Sequence, residues 1–175
     1  MVQAGAMLIR PKTPGDHDEC VGLLRAVHAR DGYPTRWPDD PRRFLAPPYE
    51  QSAWVAVRDG QVVGHVALHA DERDPALVPA TRATGLAPEK LAVVARLLVA
   101  PTARHLGIGS ALLAQATMEA HRHGARPVLD VAKHYAGAIA FYEARGWTRA
   151  DELTLELPNG PTFESWLYLG PAPNV

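Results

Sequence analysis

Two glycines one residue apart, Gly107 and Gly109, stand directly before an apolar run in the stretch RHLGIGSALL, residues 104–113. Amide groups in the first turn of a helix have no partner inside the helix, and they lie at the positive end of the helix dipole. Such a turn binds phosphate, and glycine lets the phosphate approach the backbone closely. The stretch therefore predicts a phosphate-binding loop, although a turn that only packs a strand end against a helix fits the same two glycines.

Two well-known phosphate loops do not match this stretch. A P-loop needs Lys and then Ser or Thr after the second glycine, whereas Ser110 and Ala111 follow here. A dinucleotide-binding fold needs Gly or Ala three residues after the second glycine, and that position is Leu112. Its first glycine should also follow the strand at once, but Pro101 and Arg104 intervene. Both alternatives are therefore excluded.

Histidine and cysteine supply the other candidate reactive groups. His65 and His69 share one face of a predicted strand, because a spacing of four keeps side chains on the same side. They are candidates for a proton relay, although two isolated histidines are more often surface or packed residues. Since no third ligand lies nearby in the sequence, we expect no metal site. Cys20 falls in the first predicted helix and gives no indication of an acyl-cysteine intermediate.

Length and composition limit the classes of function. The 175 residues fit a single domain spanning 1–175, and the formal net charge of −1 provides no global field that would attract nucleic acid or an anionic membrane. One cysteine cannot form an internal disulfide, and the N-terminus lacks an export signal, so we expect a cytoplasmic protein. No apolar stretch approaches the roughly 20 residues that cross a bilayer.

The N-terminal half is predicted to contain a strand, two helices and a hairpin. Gly32 and Pro34 should end the first helix, and Asp59-Gly60 is typical of a hairpin turn. The predicted elements are a strand over Met7–Arg10, a helix that begins after Thr13 and ends near Asp31–Pro34, a short helix around Pro41–Leu45, and strands over Ala53–Arg58 and Gln61–His69.

The C-terminal half alternates strands and helices. The segment Asp71–Lys90 has no clear period, and either a functional loop or a hidden element fits it. The mixed order of hairpins and crossover helices predicts an α/β or α+β fold around a mixed sheet. The predicted elements are a buried strand over Leu91–Val99, a helix from the glycine loop to Gly124, a strand over Pro127–Val131, a helix from Tyr135, and a hairpin of Trp147–Leu157 and Thr162–Leu169 with its turn at Pro158–Pro161.

Two segments together resemble the GCN5-related N-acetyltransferase (GNAT) superfamily. VAPTARHLGIG, residues 99–109, resembles its coenzyme A signature V-x-P-x-x-[QR]-x-x-G-x-[GA], and AIAFYEARGW, residues 138–147, resembles its A-I-x-x-Y-E-K-x-G-F segment at the expected distance. The resemblance covers about residues 7–170. It implies a mixed, mostly antiparallel central sheet, splayed between strands 4 and 5 and flanked by helices, and acetyl-CoA as cosubstrate without a metal.

The resemblance also implies roles for particular residues. Backbone groups of Leu97, Leu98 and Val99 would bind the pantetheine arm, and one amide there would polarise the thioester carbonyl. Arg104 would supply charge to the pyrophosphate, although a solvated loop arginine is the alternative. The pyrophosphate itself would be wrapped by His105, Leu106, Gly107, Ile108, Gly109 and Ser110.

Tyr142 and Asp130 are the expected catalytic residues. Tyr142 occupies the family position whose hydroxyl protonates the departing thiolate, and the alternative is a helix tyrosine packed on the core. Deprotonating an amine of pKa about 10.4 at pH 7 costs about 4.6 kcal/mol, so a general base would assist the reaction. The predicted strand Leu91–Val99 contains no carboxylate. Asp130 matches an acid that ribosomal-protein alanine acetyltransferases carry on the fifth strand, while a local capping role fits it equally well.

The acceptor and the assembly are the least specified parts of the resemblance. A primary amine of a small molecule or peptide is the expected acceptor, and Asp31, Tyr33 and Trp37 are candidates to surround it or are simply exposed turn residues. Tyr135 replaces the asparagine usual in the family seven residues before Tyr142. A homodimer is compatible with the family. A non-catalytic acyl-CoA-binding or regulatory module is the alternative function.

Overall fold

A computed structural model describes residues 5–157 and 159–174. The elements follow the predicted order, with one helix added. The strands are β1 (Leu8–Pro11), β2 (Glu50–Arg58), β3 (Gln61–His69), β4 (Leu91–Val99), β5 (Arg126–Ala132), β6 (Thr148–Glu156) and β7 (Thr162–Leu169). The helices are α1 (His17–Asp31), α2 (Pro41–Leu45), α3 (Leu77–Thr84), α4 (Ile108–Arg122) and α5 (Ala136–Ala144).

The seven strands form one mixed sheet in the order β1-β2-β3-β4-β5-β7-β6. The pairs β1–β2, β2–β3, β5–β7 and β6–β7 are antiparallel, and β4–β5 is parallel. The parallel register ends at Val93 opposite Val128, although β4 continues to Val99 and β5 to Ala132. A mostly antiparallel sheet whose fourth and fifth strands stop pairing part-way confirms the predicted GNAT-like fold class.

The first of two compact units takes in the described chain up to His69 together with Ala95–Ala116. Its core joins the apolar face of α1 to β2 and β4, for example through Leu24, Val55 and Leu98. The hairpin turn has φ of 52° at Asp59 and 76° at Gly60, as the dipeptide predicts. Helix α1 ends at Gly32, which adopts a left-handed φ of 71°.

The second compact unit takes in Ala70–Val94 and Thr117 to the end of the described chain. The undecided segment Asp71–Lys90 contains α3 and a 3₁₀ turn over Pro88–Lys90. Leu77 and Ala80 of α3 are buried in the same apolar cluster as Val128 and Leu167. The lack of a clear period is explained by the length of α3, because two turns are too short to repeat a hydrophobic pattern.

Differences from the predicted elements are confined to their ends. Trp147 precedes β6 instead of starting it, and it is buried. Pro158, the first residue of the predicted final turn, lies outside the described residues. Within the part of the chain that the structure describes, no helix combines the length and hydrophobicity needed to cross a membrane. The prediction of one domain over 1–175 stays a prediction.

Candidate active site

The glycine loop leads directly into the open end of α4. His105 and Gly107 both adopt left-handed backbone conformations, with φ of 62° and 79°. The Ala111 amide donates the first hydrogen bond of the helix to the Gly107 carbonyl at 3.0 Å. The amides between them are therefore those that an α-helix cannot bond within itself. This turn has the geometry that binds an anion at a helix N-terminus.

A glycine on β3 fixes where α4 begins. A side chain at Gly64 would place its Cβ 2.7 Å from Leu112 Cδ1 and 3.1 Å from Ile108 Cγ2. A Cβ there would push the tip of the Leu112 side chain aside and crowd Ile108, so glycine allows the first turns of α4 to pack closely on the sheet. Ile108 and Leu112 are buried there. Nothing in the local sequence distinguishes Gly64 from another strand glycine, so its role was not predictable.

Arg104 is held by a residue from the end of α1. Its guanidinium forms an ion pair with Asp31, in which Nη1 donates to Oδ1 at 3.1 Å. Arg104 Nε also donates to the Val99 carbonyl at 3.4 Å. Both side chains of the pair are about one-third exposed, at 32% and 34%. Arg104 is therefore oriented by both Asp31 and the Val99 carbonyl. This ion pair places Asp31 next to the glycine loop.

The β4 segment expected to bind pantetheine follows an irregular residue. Leu98 is buried in the core of the first unit, whereas Leu97 and Val99 are half-buried on the other side of the strand. Just before them, Arg96 adopts a left-handed φ of 55°. The chain leaves the segment through a hydrogen bond from the Ala100 amide to the Val63 carbonyl of β3 at 2.8 Å.

Tyr142 and Asp130 belong to the second unit. Tyr142 is half-buried on α5, with its ring centroid 6.0 Å from that of Trp147 and 6.2 Å from that of Tyr168. The Trp147 amide donates to the Tyr142 carbonyl at 3.1 Å, which ends the helix turn beside the ring. Asp130 is half-buried on β5, opposite Leu167 of β7 in the register.

The sequence model of the Acetyltransferase (GNAT) family matches residues 21–147. The chain belongs to the GNAT acetyltransferase family. A search of curated proteins found no significant match. Membership of this family supports acetyltransferase activity as the general activity of the chain.

Solved structures share the fold of this GNAT acetyltransferase. The ribosomal-protein-S18-alanine N-acetyltransferase from Escherichia coli aligns with a TM-score of 0.70 and 17% identity over 97% of this chain and 96% of its own. NAA60 from Arabidopsis thaliana, in complex with acetyl-CoA, aligns with a TM-score of 0.71 and 22% identity over 94% and 98%. The same protein in complex with a bisubstrate analogue shows 24% identity and a TM-score of 0.69 over 94% and 97%.

The remaining candidates from the sequence are packed residues. Burial raises the pKa of the Cys20 thiol to about 11, which makes it a poor nucleophile in this GNAT protein. Tyr33 and Trp37 pack against the core of the first unit, so they are not free turn residues. His65 and His69 are both buried. Across residues 5–157 and 159–174, no group of three or more His, Cys, Asp or Glu side chains is arranged to hold a metal ion.

A cavity of about 280 Å³ in the first unit lies beside the start of the pantetheine segment. Phe44 and Tyr49 supply aromatic walls, and the Arg96 guanidinium lies 3.6 Å over the Phe44 ring. Arg96 Nε donates to the Phe44 carbonyl at 3.1 Å. The cavity thus combines aromatic surface with the charged residues Asp40, Arg43 and Arg96, the last of which directly precedes Leu97.

Proposed function

We propose that this protein transfers the acetyl group of acetyl-CoA to a primary amine of a small molecule or peptide, by direct transfer in a ternary complex. The observation that carries the proposal is the left-handed Gly107 at the open N-terminus of α4. The amides of that turn fit a pyrophosphate, which is the part of coenzyme A with the most charge. Arg104, oriented by Asp31, would add one guanidinium to the same anion.

In the proposed reaction acetyl-CoA supplies a thioester as the acetyl donor. The amine nitrogen forms a bond to the carbonyl carbon, and the carbon–sulfur bond breaks. A backbone amide of Leu97–Val99 would donate to the carbonyl oxygen as negative charge develops on it. Asp130 would accept the proton that the amine loses. The Tyr142 hydroxyl would give its proton to the departing thiolate, which requires a short approach because a tyrosine is a weaker acid than a thiol.

The acceptor amine is proposed to approach through the cavity beside Arg96. Its aromatic walls would contact the carbon skeleton of the acceptor, and the guanidinium would favour a carboxylate or another negative group. The name of the Escherichia coli neighbour specifies an alanine of a ribosomal protein as acceptor, which supports including peptide α-amines in the screen.

The proposal is tested by calorimetric titration of the protein with acetyl-CoA, with NADH and ATP as control ligands. Gly107→Ala should weaken acetyl-CoA binding by about tenfold or more, because a Cβ at a positive φ distorts the turn whose amides bind the phosphates. Gly85→Ala is the matched control. Gly85 has a φ of 71°, and a Cβ at either glycine meets nothing within 4 Å, so the backbone strain is equal while the phosphate loop is untouched.

Equal acetyl-CoA affinity of the Gly107→Ala and Gly85→Ala proteins would contradict the loop assignment. Absence of acetyl-CoA binding by the folded wild-type protein would contradict the whole proposal.

Release of CoA in the presence of an amine panel separates an enzyme from a non-catalytic binding module. Tyr142→Phe should lower kcat by about a hundredfold, since a positioned general acid contributes roughly that much. Tyr168→Phe is the control, because it removes a hydroxyl from the same aromatic cluster, where that hydroxyl donates to Glu143 at 2.7 Å. Asp130→Asn should also lower kcat. The part of the pH dependence of kcat that comes from a general base should be lost in this variant. Unchanged turnover of Tyr142→Phe would exclude the acid role.

A further inference from the structure

A buried lysine connects several elements of the first unit. The Lys12 side chain is only 4% exposed, and its ammonium donates to the Leu45 carbonyl and to Glu50 Oε2, both at 2.7 Å. Its nitrogen also lies 3.2 Å from His65 Nε2. An ammonium has three N–H donors, so these three contacts use all of them. Lys12 thus links the chain after β1 to the end of α2, the start of β2 and the middle of β3.

The lysine determines which nitrogen of His65 carries the proton. Lys12 can only donate, so His65 Nε2 accepts, and Nδ1 therefore carries the hydrogen of the neutral ring. Nδ1 donates that hydrogen to the Arg96 carbonyl at 2.8 Å. His65 has no exposed surface, and burial together with the nearby Lys12 charge lowers its pKa to about 3. The imidazole is consequently a fixed neutral link and not a proton donor to substrate.

The link ends at the strained residue of β4. Arg96 has a φ of 55°, a left-handed conformation that residues with a Cβ adopt only where surrounding contacts hold them. Its carbonyl is held by His65, and its side chain is held by the Phe44 carbonyl at 3.1 Å and by the Phe44 ring. A left-handed residue inside a strand changes the direction of the peptide groups that follow it. Those groups belong to Leu97–Val99.

We propose that Lys12 and His65 are positioning residues, which hold Arg96 in its left-handed conformation and thereby aim the backbone groups of Leu97–Val99. This inference rests on the proposed function, in which that segment binds the pantetheine arm and polarises the thioester carbonyl. Neither residue touches substrate in this role. A displacement of about 1 Å in a positioned group costs about a hundredfold in rate, so the loss of the link should appear in kcat.

Two amide substitutions at His65 separate positioning from simple packing. His65→Asn keeps an N–H donor near the place of Nδ1 and retains the bond to the Arg96 carbonyl, whereas His65→Gln carries its amide to the place of Nε2 and loses that bond. We expect His65→Gln to lower kcat by about tenfold or more, and His65→Asn, which loses only the contact with Lys12, to lower it clearly less. Acetyl-CoA affinity should change much less than kcat in both variants, because the phosphate loop is untouched even where the pantetheine segment is displaced.

His121 provides the matched control in the second unit. Its Nε2 bonds the Pro171 carbonyl at 2.8 Å, so His121→Asn removes, and His121→Gln retains, a histidine–carbonyl bond that does not lead to β4. Neither His121 variant should change kcat.

A readout independent of activity comes from the amide signals of Leu97 and Leu98 in protein with isotope-labelled leucine. His65→Gln should shift both signals, and His65→Asn should shift them less. Unshifted leucine signals in His65→Gln, or equal kcat values for the two His65 variants, would overturn the inference. A wild-type protein that fails to bind acetyl-CoA would instead overturn the proposed function, while the leucine signals would still decide the positioning role. If His65→Gln does not fold, Lys12→Arg tests the other end of the link, because a planar guanidinium does not fit the site where the Lys12 ammonium makes three contacts. Unshifted Leu97 and Leu98 signals in Lys12→Arg would also overturn the inference.

Discussion

Two lysines of this protein make similar ion pairs in different surroundings. Lys12 lies 2.7 Å from Glu50, and Lys133 lies 2.6 Å from Glu152 and 3.0 Å from Glu164. The side chains of Lys12 and Glu50 are 4% and 17% exposed, whereas that of Lys133 is 25% exposed and its partners are more than 60% exposed. The distances alone would rank the two lysines as equals.

The difference lies in what each lysine would lose with its partners. Water and salt screen Lys133, and its ammonium also lies 4.0 Å over the Trp166 ring, so other contacts replace a lost carboxylate. Lys12 has no such alternative, because a carbonyl, a carboxylate and a histidine surround its ammonium in a buried position. A buried charge is tolerated only while its partners remain, so the Lys12 network imposes one arrangement on α2, β2, β3 and the chain that follows β1.

The largest effect is expected when the same substitution, lysine to methionine, is made at both positions. Lys12→Met should lower the free energy of unfolding by about 3–5 kcal/mol, because it leaves the half-buried Glu50 carboxylate and the His65 acceptor without their donor. Lys133→Met should cause a much smaller loss. Urea denaturation of both variants measures the two values, and equal losses would remove the distinction.

The next test is the pH dependence of stability. The folded pKa of His65 is about 3, below its ordinary value of 6.5, so the unfolded chain takes up a proton first as the pH falls. The stability contributed by neutral His65 is therefore complete above pH 6.5 and is lost as the pH falls toward 3. Between pH 7 and pH 5 the loss should be about 2 kcal/mol.

The comparison for that test is His65→Asn, which cannot titrate and should show a flatter profile over the same range. Besides burial, nearby Lys12, Arg96 and His69 each lower the pKa of His65. Asp16 acts at lower pH, because its hydrogen bonds with Arg10 hold its pKa below the ordinary 3.8. Parallel profiles of the wild-type and variant proteins would contradict the assigned cause.

The smallest expected effect concerns salt. Because the Debye length falls to about 3 Å in 1 M salt, the stability difference between Lys133→Met and the wild type should disappear there. The loss in Lys12→Met should persist, since its buried partners are not screened. Denaturation midpoints at low and high salt measure both, and loss of the Lys12→Met difference in salt would mean that its pair is open to solvent.

Local signals in the sequence predicted most of the fold. The Asp59-Gly60 turn, the end of α1 at Gly32 and the helix Pro41–Leu45 all depend on residues within a few positions of one another. The same holds for the glycine loop before α4, which together with residues 138–147 predicted the family. The sequence did not predict helix α3, because its burial depends on contacts with residues of β4, β5 and β7 and not on a hydrophobic pattern of its own.

The sequence by itself determined which backbone conformations are favourable at each turn, and it predicted which residues would bind an acyl-CoA. Only the tertiary structure decided that Asp31 orients Arg104, 73 residues away, and that Lys12 meets Leu45, Glu50 and His65 at separations of 33, 38 and 53 residues. The reason is physical: propensity and φ preference act over a few bonds, whereas burial brings distant polar groups together and then requires each of them to find a partner.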